Sequence, residues 1–319
     1  MRQDLVKSRA PGNRTTVLHE NDAEFYSSHL INLNKSASLA TIENRIANQD
    51  IISLFDLLPR QFVDLLILDP PYNLNKTFKS VVFKRQSIDE YAGWFESCLI
   101  KFLPMLKSTA SVYVCSDWFT STAVHLVLEK HLKVRNRITW EREKGRGAAR
   151  NWKNCSEDIW FATVSDDYVF NVDDVKLKRR VIAPYTDAEG QPKDWQDSSD
   201  GQFRLTHPSN LWTDITVPFW SMPENTDHPA QKSEKLCAKL ILAGTNENDL
   251  IFDPFAGVGS SLVAAKKLSR RFFGVEIEKE YCLLAAKRLH LAERDKTIQG
   301  YSHGVFWERN TLNVRGRSY

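Results

Sequence analysis

The feature that most constrains the fold is a short apolar segment, residues 62–68, which ends at an aspartate followed by two prolines. A continuous apolar run with one polar break is typical of a strand buried on both faces of a parallel sheet. Similar runs recur at 110–115, 134–140, 158–164, 250–252 and 271–277. Amphipathic helices are predicted at 87–106, 120–131, 233–243, 260–268 and 280–291. This alternation predicts an α/β fold, a doubly wound sheet with helices on both faces.

Other segments are less regular. Residues 45–50 predict a short strand ending at Asp50, residues 51–58 a helix ended by Pro59, and residues 168–171 another core strand. Between 173 and 227 no period holds, which indicates an insertion, either a small subdomain or a segment that its ligand orders. Residues 1–40 predict a variable arm with one short helix.

The composition is that of a folded globular chain, with 319 residues, 42% hydrophobic residues and a net charge of +3. We expect a cytoplasmic protein, because no apolar run approaches the ~20 residues that span a bilayer and no secretory signal is evident. The five cysteines are widely spaced and form no C-x-x-C pair. They therefore predict buried free thiols, with neither disulfides nor a metal site.

The first motif is Asp69-Pro70-Pro71-Tyr72, directly after the buried strand, where open α/β sheets bind ligands. An exocyclic amino group on a base is a poor nucleophile, since its lone pair is delocalised into the ring. The Asp69 carboxylate and the Pro70 carbonyl could accept both amino hydrogens and aim that lone pair at a methyl donor. Tyr72 offers a face for an extruded base and a cation–π partner. On its own, the motif could also be an ordinary strand exit.

The second motif also joins an apolar strand to a helix, and it reads Asp253-Pro254-Phe255-Ala256-Gly257-Val258-Gly259-Ser260. Its glycines permit a tight turn and a close approach of the backbone to a ligand. Glu276 ends the next strand about 20 residues further on, the spacing of a carboxylate that binds ribose hydroxyls. A nucleoside-containing cofactor is therefore predicted, rather than a dinucleotide.

Together these residues resemble the amino-directed DNA methyltransferases, in particular their circularly permuted β class, in which the catalytic motif precedes the cofactor motif. The resemblance covers about residues 44–289. It implies a Rossmann-like mixed sheet, S-adenosyl-L-methionine as cofactor, and a catalytic role for Asp69 to Tyr72. It assigns cofactor contacts to the second motif (Asp253, Pro254, Phe255, Ala256, Gly257, Gly259 and Ser260), to Glu276, and to Asp50, His228 and Lys232.

One of these assignments has a local alternative, and another lies in a segment that departs from the family's motif. Asp50 could cap a helix at Ile51. The segment from His228 to Ser233 departs at two positions from the family's usual His-Pro-Thr-Gln-Lys-Pro, although His228 and Lys232, expected near the methionine end of the cofactor, are retained.

The resemblance predicts methylation of adenine N6 in double-stranded DNA, with base flipping, in a restriction-modification system or by an orphan enzyme. Cytosine N4 is the alternative, although that subfamily usually has serine in place of Asp69. Methylation of RNA or of a protein amide is disfavoured by the motif order, and a non-enzymatic DNA-binding module by the intact motifs. A homodimer, a cognate restriction endonuclease and association with a bacterial or archaeal nucleoid are further expectations.

Basic residues cluster in two stretches that we expect to contact DNA phosphates. They are Arg142, Lys144, Arg146 and Arg150, then Lys176, Lys178, Arg179 and Arg180. The alternative for the first stretch is a solvated loop. The predicted division is an arm (1–40), a catalytic half (41–172), a target-recognition insertion (173–227), a cofactor half (228–292) and a C-terminal tail (293–319).

Overall fold

The alternating apolar segments of the sequence form a central sheet in the computed structural model, which describes residues 10–78, 81–142, 149–181, 185–198 and 201–308. The strands in chain order are β1 (Leu30–Ile31), β2 (Arg45–Asn48), β3 (Val63–Leu68), β4 (Lys76–Phe78), β5 (Val81–Phe83), β6 (Leu106–Ser116), β7 (Lys133–Glu141), β8 (Ser156–Thr163), β9 (Leu177–Arg180), β10 (Gln196–Ser198), β11 (Gly201–Thr206), β12 (Leu211–Trp212), β13 (Leu250–Asp253), β14 (Arg271–Glu276), β15 (Tyr301–Ser302) and β16 (Val305–Trp307).

The central sheet has nine strands in the order β1-β2-β14-β13-β3-β6-β8-β7-β12. All neighbouring pairs are parallel except the two that β8 makes, with β6 and with β7. The sheet is therefore mixed. Because β8 runs against the others, its first residues lie at the edge where the parallel strands end.

Helices cover both faces of this sheet. They are α1 (Asp22–Ser27), α2 (Leu39–Ile42), α3 (Ile88–Phe102), α4 (Ser121–His131), α5 (Glu234–Gly244), α6 (Ser260–Lys267) and α7 (Lys279–Leu291). One core includes Leu99 of α3 and Leu128 of α4, and a second includes Leu240 of α5 and Leu262 of α6. Two such cores on one sheet confirm the predicted doubly wound α/β fold. In the described part of the chain, no helix is long and apolar enough to cross a membrane.

Four local expectations were wrong. The helix predicted at 87–106 ends at Phe102, where a 3₁₀ turn and then β6 follow. The helix predicted at 51–58 is a single 3₁₀ turn, Ile51–Ser53, followed by turns. Residues 168–171 form no strand, because Tyr168 instead packs edge-on against Phe161 of β8. Cys155 is exposed, whereas the other four cysteines are buried as free thiols.

The region predicted to be an insertion forms a second sheet with the C-terminal segment. Its strand order is β10-β11-β9-β16-β15, so two strands of the predicted tail complete a sheet that the insertion begins. Val175 and Phe306 from these two regions pack with Leu242 of α5. The predicted insertion therefore contributes three strands to a sheet that needs residues beyond 293, while its last strand, β12, joins the central sheet. The division into domains as such stays a prediction.

Three buried charges join α5 to the segment after β12. Asp214 lies 2.7 Å from the Lys235 ammonium and 2.8 Å from that of Lys239. Burial raises the pKa of Asp214, but the two lysines outweigh it and hold that pKa below its usual value. Burial lowers the pKa of Lys239 to about 8, against the opposing pull of Asp214.

We expect Asp214→Ala to destabilise the protein by about 3–5 kcal/mol, since removing one partner leaves buried charges unpaired. Asp173→Ala is the matched control, because it removes the 78% exposed partner of Lys176 and should change stability little. Denaturant unfolding followed by circular dichroism measures both variants. Equal unfolding midpoints would show that the buried cluster contributes no more than a surface pair.

Candidate functional site

A cavity of about 400 Å³ opens at the carboxyl ends of the parallel strands. Both sequence motifs reach its wall. The residues that line it include Asp69, Pro70, Pro71 and Tyr72 from the first motif, Pro254, Phe255 and Gly257 from the second, and Asp50, His228, Lys232 and Glu276. The structure thus brings together residues as far apart in the chain as Asp50 and Glu276, as expected where β3, β13 and β14 end side by side.

The glycine turn and Glu276 form one end of the cavity. Gly257 has a φ of +52°, and its N–H donates to Glu276 Oε2 at 2.8 Å. The Glu278 N–H donates to Oε1 at 2.8 Å. Burial raises the pKa of Glu276. Glu276 lines the cavity, and a carboxylate oxygen can accept more than one hydrogen bond, so this end can accept hydrogen bonds from a ligand's hydroxyl groups.

Four residues of the second motif that the resemblance assigns to the cofactor lie behind the cavity wall. The Asp253 carboxylate accepts the Phe255 N–H at 3.0 Å and the Ser261 hydroxyl, so it shapes the turn. Burial raises its pKa to about 7. A Cβ on Gly259 would come within 2.9 Å of Ala285 of α7, so this glycine is needed for helix packing. Ala256 and Ser260 are likewise buried. Their assignment to the cofactor stays a prediction.

Asp50 and His228 both line the cavity. The Asp50 side chain accepts the Ile52 N–H at 3.0 Å, so it caps the short 3₁₀ turn and at the same time faces the cavity. The His228 ring packs edge-on against Tyr281 and lies 3.5 Å from where a Cβ on Gly257 would be. Both positions are compatible with the predicted cofactor contacts.

Lys232 holds the carboxylate of the first motif. Its ammonium lies 2.8 and 2.7 Å from the two oxygens of Asp69 and 3.2 Å from the Tyr72 hydroxyl. Asp69 Oδ1 also accepts the Tyr72 hydroxyl at 3.1 Å. Lys232 precedes α5, which begins at Glu234, and does not belong to the helix. The expected contact with the cofactor is therefore accompanied by an ion pair with Asp69.

Glu157, which the sequence analysis did not identify, completes this cluster. It is 5% exposed, accepts the Tyr72 hydroxyl at 3.1 Å and lies 3.3 Å from the Lys232 ammonium. Its other oxygen is paired with Arg142. No motif marks Glu157, since it reaches the cavity only because β8 is antiparallel.

Burial and charge set the protonation of this cluster. Burial raises the pKa of Tyr72 well above its ordinary value, and the charges of Asp69 and Glu157 raise it further. Burial lowers the pKa of Lys232, but the two carboxylates outweigh it and raise this pKa above its usual value. Near neutral pH, Tyr72 is therefore a neutral donor and Lys232 a cation.

The first predicted basic stretch is only partly described. Arg142 lies in the cavity wall, and its charge is paired with Glu157. Arg150 is exposed. Lys144 and Arg146 lie outside the described residues.

The second basic stretch lies on and next to β9, in the second sheet. Lys176 pairs with Asp173, and Arg179 pairs with Glu308. The Lys178 ammonium lies 4.4 Å from the Trp307 ring centroid. Arg180 is exposed at the end of β9. The described positions of both stretches are partly exposed, as an electrostatic DNA surface requires, and their assignment to DNA stays a prediction.

Chemically, the cavity combines two functions. Glu276 and the glycine turn offer hydrogen-bond acceptors and close backbone approach at one end, and Asp69 offers a carboxylate at the other. Its volume lies within the roughly 300–1,000 Å³ of small-molecule sites, so it can hold a nucleoside-sized ligand with a planar group beside Asp69.

Sequence comparison identifies relatives of known type. A family model for N6 and N4 DNA methylases matches residues 63–287. The type II methyltransferase M.BglII of Bacillus subtilis is 29% identical over 76% of this chain and 68% of its own length. The DNA adenine methyltransferase YhdJ of Escherichia coli K12 is 28% identical over 77% of this chain and 83% of its own.

A solved structure agrees in fold. The cytosine-N4-specific PvuII DNA methyltransferase superposes with a TM-score of 0.58 over 82% of this chain and 88% of that chain, at 16% identity. The expected Rossmann-like fold is thereby confirmed.

Proposed function

The chain belongs to the family of N6 and N4 DNA methylases, and from this premise we propose that it methylates the N6 amino group of an adenine turned out of double-stranded DNA. The methyl donor of the family is S-adenosylmethionine, which supplies an electrophilic methyl group on a sulfonium. The observation that carries the proposal is the position of Asp69 in the same cavity wall as Gly257 and Glu276.

The residues of the cavity fit such a donor. Glu276 keeps acceptor capacity for ribose hydroxyls beside the Gly257 turn, and Ile51 and Ile277 offer apolar surface for the adenine of the cofactor. Asp50 lies next to Ile51 and could accept from that adenine's amino group. His228 lines the wall between the glycine turn and Lys232.

Asp69 would orient the target base. Its carboxylate and the Pro70 carbonyl accept the two amino hydrogens, which localises the nitrogen lone pair. The nitrogen lone pair would form the bond to the methyl carbon while the electron pair of the carbon–sulfur bond stays on sulfur, and the methylated nitrogen would lose one proton to water. The Tyr72 ring offers the flipped base a stacking face. The phenol stays protonated, so its hydroxyl remains a donor to the carboxylates.

Two observations favour adenine over cytosine. Asp69 stands where the cytosine-N4 enzymes usually have serine, and YhdJ, a DNA adenine methyltransferase by name, is 28% identical. Cytosine N4 is the second candidate, because the fold is shared with a cytosine-N4-specific enzyme. The β class, which follows from the motif order, and a restriction-modification context, which the type II relatives suggest, belong to the same proposal.

Liquid chromatography of digested DNA tests the proposal. DNA from cells that express the protein should contain N6-methyladenine above the level in cells that express Asp69→Ala. N4-methylcytosine in its place would establish the second candidate. If neither methylated base is found, the proposed reaction is refuted. Sequencing of the methylated DNA identifies the target site, and gel filtration with and without DNA tests for the proposed homodimer.

The first basic stretch yields a separate prediction about DNA binding. Replacing Lys144, Arg146 and Arg150 with alanine should weaken binding to all DNA sequences and flatten its salt dependence by ~0.9 log units per lost phosphate contact. Arg142 is left intact because it holds Glu157. Cofactor affinity should hardly change.

A charge-matched control replaces Lys101, Lys130 and Lys133 with alanine. These lysines lie near the ends of α3 and α4 and at the start of β7, where the parallel strands begin. Fluorescence anisotropy over a salt series measures both variants. If the two triple variants keep the same slope as the wild type, the first stretch is a solvated loop. The proposed DNA path would then have to follow Lys176 to Arg180.

A further inference from the structure

Glu157 is a buried carboxylate that neither motif contains and that the reaction, as proposed above, does not use. It lies near the start of β8, opposite Trp140 of β7, and is 5% exposed. Burying a carboxylate costs free energy unless it is paired and hydrogen-bonded. Its neighbours Tyr72, Lys232 and Arg142 all belong to the cavity wall, so Glu157 is part of the site and not of the general core.

Tyr72 and Lys232 have two alternative acceptors. The Tyr72 hydroxyl has one proton, yet it lies 3.1 Å from Asp69 Oδ1 and equally 3.1 Å from Glu157 Oε2. Lys232 has three N–H groups, reaches both Asp69 oxygens at 2.8 and 2.7 Å, and lies 3.3 Å from Glu157 Oε2. Both donors can therefore move from Asp69 to Glu157 by small displacements.

At Asp69 Oδ1, which accepts two hydrogen bonds, such an exchange frees a lone pair for a target amino group. Both of its oxygens already accept from Lys232, and one also accepts from Tyr72. A buried donor that loses its acceptor is unfavourable. An incoming amino group can displace Tyr72 or Lys232 from Oδ1 without this penalty because a second acceptor is in reach, and Glu157 Oε2 is that acceptor.

The charges support the same exchange. Two carboxylates, Asp69 and Glu157, face two cations, Lys232 and Arg142, so the cluster is balanced. Without the charge of Glu157, Lys232 would have only Asp69 as a near anion and would be held there more tightly. Glu157 itself is engaged at both oxygens, by Arg142 at one and by Tyr72 and Lys232 at the other, so it does not contact the base.

We propose that Glu157 is a positioning residue, which takes over hydrogen bonds of Lys232 and Tyr72 when the target amino group binds Asp69. This inference rests on the proposed methyl transfer to an amino group. It predicts that Glu157 matters for the bound base and for the rate of the chemical step, and that it matters little for cofactor binding.

Glu157→Gln keeps the shape of the side chain and removes its charge. We expect its single-turnover rate at saturating DNA to fall by about 10-fold to 100-fold, the range for groups that orient a directly contacting residue. Cofactor affinity by calorimetry should stay near wild type, which also reports that the variant folds. Arg142→Gln is the control, because it removes the partner of the other Glu157 oxygen and should lower the rate less.

A binding measurement without cofactor separates positioning from a structural role. The probes are two DNA duplexes that differ only in the target base, adenine or purine, which lacks the amino group. The wild type should bind the adenine duplex more tightly, and Glu157→Gln should lose most of that preference while binding the purine duplex as the wild type does.

The outcomes are distinguishable. If the wild type methylates no DNA, the proposed function fails. If the wild type methylates DNA but Glu157→Gln keeps both its rate and its preference for adenine, the role of Glu157 is refuted. It is also refuted if Arg142→Gln and Glu157→Gln lose equal activity, because the ion pair between them would then explain the effect.

Discussion

Asp69→Ala is expected to lower the rate of methyl transfer by ~10²-fold or more, the loss typical of removing a preorganised group that stabilises developing charge. Asp69 is at the end of β3, in the cavity wall. Its carboxylate would contact the target amino group and not the cofactor, so calorimetry should find cofactor affinity nearly unchanged. A radiolabelled methyl-transfer assay measures the rate.

The control for Asp69→Ala addresses Lys232, which the substitution deprives of its nearest anion. The double variant Asp69→Ala, Lys232→Met also removes the Lys232 ammonium, which in the single variant would have Glu157 as its only anionic partner in this cluster. We expect this protein to stay inactive. Recovery of activity would show that the unpaired lysine, and not the missing carboxylate, caused the loss. Activity above about a tenth of wild type in Asp69→Ala itself would contradict its catalytic role.

Gly257→Val is expected to abolish cofactor binding. Gly257 has a φ of +52°, and a β-branched residue in this conformation has a backbone strain energy of roughly 1–3 kcal/mol. The valine would also fill the space between the turn and the His228 ring, which lies only 3.5 Å from the position of the new Cβ. Where the free turn relaxes to relieve this strain, it must return to the strained form to bind, and each 1.4 kcal/mol of that cost weakens binding about tenfold; the blocked approach adds to it.

Gly304→Val is the matched control for this substitution. Gly304 has a φ of +75° in the β15–β16 turn, and a Cβ there has nothing within 4 Å. It therefore has comparable backbone strain without any contact with the cavity. Calorimetry should find wild-type cofactor affinity for Gly304→Val and none for Gly257→Val. Equal affinities for both variants would refute the assignment of the glycine turn to the cofactor.

Much of the central sheet could be predicted because its signals are local. Val63–Leu68 and Leu250–Asp253 are apolar apart from Asp64 and the final Asp253, and burial on both faces of a parallel strand favours such runs. Predicted helix boundaries agree within one residue for the same reason, except that α3 ends at Phe102 and not at 106. Ser87 and Glu90 form a capping box at the start of α3, a local hydrogen-bond pattern. The prediction of a helix at 51–58 was wrong. Apolar residues of this segment, such as Leu54, pack into the core, although only one 3₁₀ turn forms.

The sequence by itself determined the two motifs, their order and the strand ends where they lie, since a strand, a glycine turn and a proline pair each depend on neighbouring residues. Only the tertiary structure decided the partners of those motifs. Lys232 meets Asp69 across 163 positions, and Glu157 joins them because β8 runs antiparallel. The second sheet likewise needs Phe306 beside Leu177. Contacts between residues so distant in the chain depend on strand order and direction, which short-range patterns do not encode.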